Sequence, residues 1–96
     1  MRGFPAAVRQ ELGYQLRRVQ DGLDPIDWRP MESIGASVRE IQVRDAAGAF
    51  RVVYVAKFST AIFVLHAFQK KTRRTSKRDI DLAAERFKQI AKGQRK

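Results

Sequence analysis

The sequence predicts one small α+β domain, with a helix at each end of a three-stranded, or slightly larger, antiparallel meander. Apolar residues recur at helical spacing near both ends of the chain, while the middle alternates with a period of two and is broken by short turn signals. At 96 residues the chain can bury one core and no second one, so residues 1–96 are expected to fold as a single unit.

Taken in order, Pro5 suits a first helical position, and Val8, Leu12, Leu16 and Val19 then mark one face of an amphipathic helix that Gly22 can end. Leu23 to Ser37 carries Pro25, Pro30 and Gly35 without a sustained period and reads as a long ordered connection, pinned to the core by Trp28, Met31 and Ile34. Val38 to Arg44 alternates, Ile41 and Val43 against Glu40, Gln42 and Arg44, and Asp45 to Gly48 supplies a turn. Phe50 to Lys57 is a second strand, Ser59–Thr60 a reversal, and Ala61 to Phe68 a third strand. Both later strands are nearly all apolar, which implies cover on both faces of the sheet. Ser76 with Asp79 forms an acidic capping box, and Ile80, Ala83, Ala84, Phe87, Ile90 and Ala91 stripe a closing helix that ends at Gly93, before a frayed basic tail over 93–96.

Composition narrows the chemistry. There is no cysteine and one histidine, so disulfides, thiolate metal sites, a cysteine nucleophile and a histidine-rich metal centre are all excluded, and no metal or other cofactor is expected. No apolar run reaches the roughly 18 residues of a membrane span and no signal pattern opens the chain, so a cytoplasmic protein without membrane contact is expected. The 20 basic and 10 acidic residues are unevenly placed: residues 1–38 hold five of each, and the whole surplus of +10 falls in residues 39–96. A polyanion gripped by the second part of the chain is the natural partner.

The densest cations are Lys70, Lys71, Arg73, Arg74, Lys77 and Arg78, six within nine residues and without an acid among them. A basic run is by default a solvated surface, but this one starts at the end of a buried strand and leads into a helix N-terminus, where backbone N–H groups also favour phosphate. Arg39, Arg44 and Arg51 lie in or beside strands, where an arginine is by default an edge or salt-bridge residue, here with Glu40 and Asp45 nearby. Of these, Arg51 in the middle strand would hold its guanidinium rigidly enough to fork a phosphate, with Tyr54 facing away from it. His66 lies in an apolar strand, where a lone histidine is by default a satisfied core residue, and it shares parity with Phe68 and Lys70.

The segments REIQVRD (39–45), GAFRVVYVAKF (48–58), VLHAFQKKT (64–72) and TSKRDIDLAAERFK (75–88) resemble the phage-derived HigB-type toxins of the RelE/ParE superfamily, and FPAAVRQELGYQLRRVQDG resembles the family's first helix. The specific parts are Gly48-x-Phe50-Arg51-x-x-Tyr54 and the run His66 to Thr72. Relatives usually carry a short segment before the first helix; here it is expected to be missing or lost to a late start codon, with an edge strand absent or incomplete.

The resemblance implies a RelE-like fold and the toxin of a bacterial type II toxin–antitoxin system. The activity implied is metal-independent mRNA cleavage on the ribosome, in which an RNA 2′-hydroxyl attacks its own phosphate. It places the family's middle-strand arginine on Arg51 and its basic pair on Lys70 and Lys71, with Arg51 and Lys71 stabilising the transition state and Lys70 and Arg73 holding phosphates. Arg39, Arg44, Arg74, Lys77 and Arg78 would grip mRNA or ribosomal RNA. Some members use a C-terminal tyrosine or histidine in proton transfer; this chain has neither after Lys70, which leaves His66, a lysine or a ribosomal RNA group. The implied partners are mRNA, the ribosome and a cognate helix-turn-helix antitoxin in a hetero-oligomer. Two competing expectations are a ParE-like inhibitor of DNA gyrase and an inactive nucleic-acid-binding relative.

Overall fold

The computed structural model describes residues 3–56, 62–70 and 75–94. The chain runs α1 (Ala6–Gln20), β1 (Trp28–Pro30), β2 (Val38–Asp45), β3 (Gly48–Val55), β4 (Phe63–Lys70) and α2 (Lys77–Gln94), and the strands form one antiparallel sheet in the order β1-β2-β3-β4. This is the small α+β arrangement the sequence predicts, compatible with a RelE-like fold. No described helix is long and apolar enough to cross a membrane.

The helices cover opposite faces of the sheet. On one side Val8 and Leu12 of α1 pack with Ile41, Val43, Phe50, Val52 and Tyr54. On the other, Ala83 of α2, flanked by Ile80, Phe87 and Ile90, packs with Val38, Val53, Val55, Leu65 and Phe68. Two covered faces explain why β3 and β4 read as nearly continuous apolar runs.

The local chemistry follows the residue types. Pro5 sits one place before the first helical residue rather than on it, with φ −54° and ψ 147°. Its fixed φ leads into α1, and its carbonyl accepts the first helical bond, from Arg9 N–H. Gly22, at φ 82°, ends α1: Leu23 N–H bonds Arg18 O and Gly22 N–H bonds Val19 O, the paired closure that a left-handed glycine permits. At the β2–β3 hairpin Gly48 has φ 134°, and a Cβ there would meet Gln69 Nε2 at 2.9 Å, while that amide donates to Ala47 O at 2.7 Å. Gln69 thus locks the turn to the outer strand.

Expectations are corrected at the connection, at both later strands and at the end of α2. The connection Leu23–Ser37 contains the edge strand β1, whose pairing Trp28↔Ile41 and Pro30↔Arg39 is too short to leave a period in the sequence. The strands placed at Phe50–Lys57 and Ala61–Phe68 run instead over Gly48–Val55 and Phe63–Lys70, shifted because backbone pairing rather than apolar content sets their ends. The reversal at Ser59–Thr60 lies outside the described residues. Gly93 does not stop α2, which continues to Gln94. In β4, Val64 pairs with Tyr54 and His66 with Val53, leaving Leu65 as an inserted residue that turns both Leu65 and His66 toward α2.

Candidate functional site

The most unusual group in the molecule is Glu40, a carboxylate of β2 with no exposed surface. The register aligns Arg29 of β1 with Glu40, Gln42 with Arg51 of β3, and Arg51 with Phe68 of β4, so these side chains share the α2 face. Arg51 Nη1 donates to Glu40 Oε1 at 2.8 Å, and Arg29 Nε donates to the same oxygen at 3.0 Å. The other oxygen, Oε2, accepts from Thr75 Oγ1 at 2.8 Å, and Arg29 Nη2 donates to that hydroxyl at 3.0 Å. A carboxylate this deep is tolerable only when its lone pairs are used, and here both oxygens are.

Lys70, at the end of β4, pairs with Ala49, two residues from Arg51, which puts it diagonally beside Arg51 on the same face. Its Nζ is buried without a hydrogen-bond partner, and so is the Nε of Arg51. Burial first, then the nearby Arg51 and Arg29, holds the Lys70 pKa below the usual lysine range, with Glu40 opposing. Burial likewise lowers that of Arg51, against the pull of Glu40. Three cations thus crowd one buried acid, with Asp27 adding a further pull on Arg51, and two of them keep unspent N–H donors inside the fold. An anion reaching this cluster would supply both a counter-charge and the missing acceptor.

His66 stands on the same face but is otherwise engaged. Its Nε2 lies 2.7 Å from Asp79 Oδ1, its ring stacks on Phe68 at 5.1 Å, and Arg86 Nη1 donates to Leu65 O at 2.7 Å while lying 3.4 Å from His66 Nδ1. Asp79 completes the predicted cap: Ser76 Oγ donates to Asp79 Oδ2 at 2.7 Å and accepts from Asp79 N–H at 3.2 Å. Burial works against the Asp79 carboxylate, but Ser76 and His66 outweigh it and its pKa falls. The histidine ties the start of α2 to β4.

The remaining predicted cations separate. Arg39 lies on the α1 face, where its Nη1 donates to Asp24 Oδ1 at 3.0 Å and its guanidinium carbon sits 4.1 Å from the centre of the Trp28 ring, so Trp28 packs beneath an arginine rather than in the core. Arg44 is exposed at the far end of β2, and Lys77 and Arg78 are exposed in the first turn of α2. Lys71, Arg73 and Arg74 lie outside the described residues. The structure therefore joins Arg51 with Lys70 and sets Arg39 apart.

Sequence reasoning missed Arg29 and Thr75, and named Glu40 only as a nearby salt-bridge partner of the strand arginines, a pairing the structure shows for Arg51. The alternation of β2 places Glu40 on the face opposite Ile41 and Val43 and does not mark how deeply that carboxylate is buried. The continuous apolar run of β3 was the signal that this face is covered as well. Two surface clefts, of about 390 and 380 Å³, lie along the β2 edge beside α1 and around Arg39 and Tyr54, and neither is lined by Arg51 or Lys70. The unpaired charge, rather than the concavity, marks the α2-face site.

Neither a curated protein nor a solved structure matches this chain. The model of the phage-derived Gp49-like proteins, a family associated with RelE/ParE-like toxins, matches residues 1–88 and so spans every strand and most of α2. The chain with this buried cation cluster is a member of the phage-derived Gp49-like family.

Proposed function

We propose that the protein is the toxin of a bacterial toxin–antitoxin pair and cleaves mRNA on the ribosome as a HigB-type endoribonuclease. The observation that carries this reading is the cluster of Arg29, Arg51 and Lys70 around one buried carboxylate, with the Nε of Arg51 and the Nζ of Lys70 unpartnered. A scissile phosphate seated there accepts from the Arg51 guanidinium. As the RNA 2′-hydroxyl attacks, charge builds on the phosphoryl oxygens, and the guanidinium groups of Arg51 and Arg29, already fixed by Glu40, stabilise it without reorganising. Lys71 and Arg73 would add further contacts, Lys71 to the transition state and Arg73 to phosphate. Arg44, Arg74, Lys77 and Arg78 would supply contacts to mRNA or ribosomal RNA, which hold the complex in register through phosphates. A helix-turn-helix antitoxin with an acidic surface would neutralise this basic side.

The test is a cell-free translation reaction on a defined mRNA, with and without ribosomes, and primer extension to locate breaks. Cleavage only with ribosomes present, lost in Arg51→Ala at unchanged circular dichroism, is the expected result. Intact mRNA in the presence of folded wild-type protein contradicts it, and inhibition of gyrase supercoiling by the same protein would move the assignment to the ParE-like activity.

A further inference from the structure

Resting on that nuclease reading, we propose that Lys70 is the general base of the reaction, taking the proton of the attacking 2′-hydroxyl, and that His66 is not. Both His66 ring nitrogens have neighbours in the fold, Asp79 at 2.7 Å and Arg86 at 3.4 Å, and Phe68 lies against the ring on the side toward Lys70. Lys77 is exposed on α2. Lys70 alone among the described lysines combines a buried, unpartnered Nζ with a place diagonal to Arg51, the residue that would hold the phosphate.

The charged groups that face Lys70 are Arg51 of β3, Arg29 of β1 and Glu40 of β2. Two cations against one acid favour loss of its proton, and burial acts in the same direction. In the proposed step the neutral Nζ takes the hydroxyl proton while O2′ forms a bond to phosphorus. The bond from phosphorus to O5′ breaks, its electron pair stays on O5′, and that oxygen is protonated by water. The products are a 2′,3′-cyclic phosphate and a 5′-hydroxyl, and Lys70 leaves as an ammonium that returns its proton to solvent. Arg51 stays charged throughout, so stabilisation of the phosphoryl oxygens and proton transfer fall to different side chains.

The experiment is single-turnover cleavage of a defined mRNA on purified ribosomes, followed from neutral to alkaline pH. For the wild type the rate should rise with pH and level off once the Lys70 ammonium has titrated. Lys70→Arg keeps a cation able to hold phosphate but cannot titrate in this range. It should pellet with ribosomes as the wild type does, yet cleave about 10²–10⁴-fold more slowly and without the pH rise. Because the chain has no cysteine, Lys70→Cys can be aminoethylated at one position. The less basic amine so made should restore cleavage, with the levelling-off moved to lower pH. Lys70→Arg with near wild-type rate and an unchanged pH rise overturns the assignment while leaving the nuclease reading intact. A restored rate with an unmoved profile does the same. Intact mRNA with the wild type overturns both.

Discussion

The two faces of the sheet carry similar residues and reach opposite charge balance. On the α1 face Arg39 meets Asp24 at 3.0 Å, lies over Trp28, and has its pKa raised, because Asp24 and Tyr54 outweigh the cost of burial. On the α2 face Arg51 meets Glu40 at 2.8 Å, yet its pKa is lowered, because burial dominates and Arg29 competes for the same carboxylate. The first arginine is a closed surface pair. The second belongs to a cluster with surplus charge, and an arginine in a strand becomes a candidate for chemistry when its neighbourhood leaves that surplus unmet.

This contrast is sharpest at the two carboxylates. Glu40→Gln removes the buried carboxylate paired with both Arg29 and Arg51 and should cost about 3–5 kcal/mol in urea unfolding, since breaking a buried pair strands the remaining charge. A loss below about 1 kcal/mol would mean that the two faces are energetically alike.

On the same face, Asp79→Asn should cost about 0.5–2 kcal/mol through the lost cap and the lost contact with His66. The sign with pH follows from its depressed pKa. Its stabilisation is complete above the ordinary carboxylate pKa and is lost as pH falls through the lower folded value, so the variant should show a flatter acid limb in unfolding measured against pH.

Gly13, on the exposed side of α1, would place a Cβ in open space. Gly13→Ala should therefore stabilise the protein by about 1 kcal/mol, read as a raised melting temperature. The smallest effect is expected for Asp24→Asn, about 0.2–1 kcal/mol and weakened further by salt, because both partners of that pair are substantially exposed.

Helix and strand order were legible because Val8, Leu12, Leu16 and Val19, the alternation of Val38 to Arg44, and the Ser76–Asp79 cap are local signals read by short-range geometry. Strand β1 was not, since three residues ending in Pro30 gain their strand character only by pairing with β2. Arg51 and Lys70 could be singled out as cations at strand positions. Glu40 could not, because its burial depends on α2 returning over a face that alternation alone assigns to solvent. The bulge at Leu65 was hidden for the same reason: the pairing partner, not the residue, decides it.

The central claim is that Arg51, and not its counterpart Arg39, meets the RNA phosphate. It is tested most directly by heteronuclear NMR of the arginine Nε–H groups during titration with a short RNA whose 2′-hydroxyls are methylated and cannot react. The Arg51 Nε–H, buried and without a partner, should shift as RNA is added and broaden or vanish in Glu40→Gln, while the Arg39 signal stays in place. Shifts at Arg39 and the exposed arginines with an unmoved Arg51 would contradict the account and place RNA on another surface.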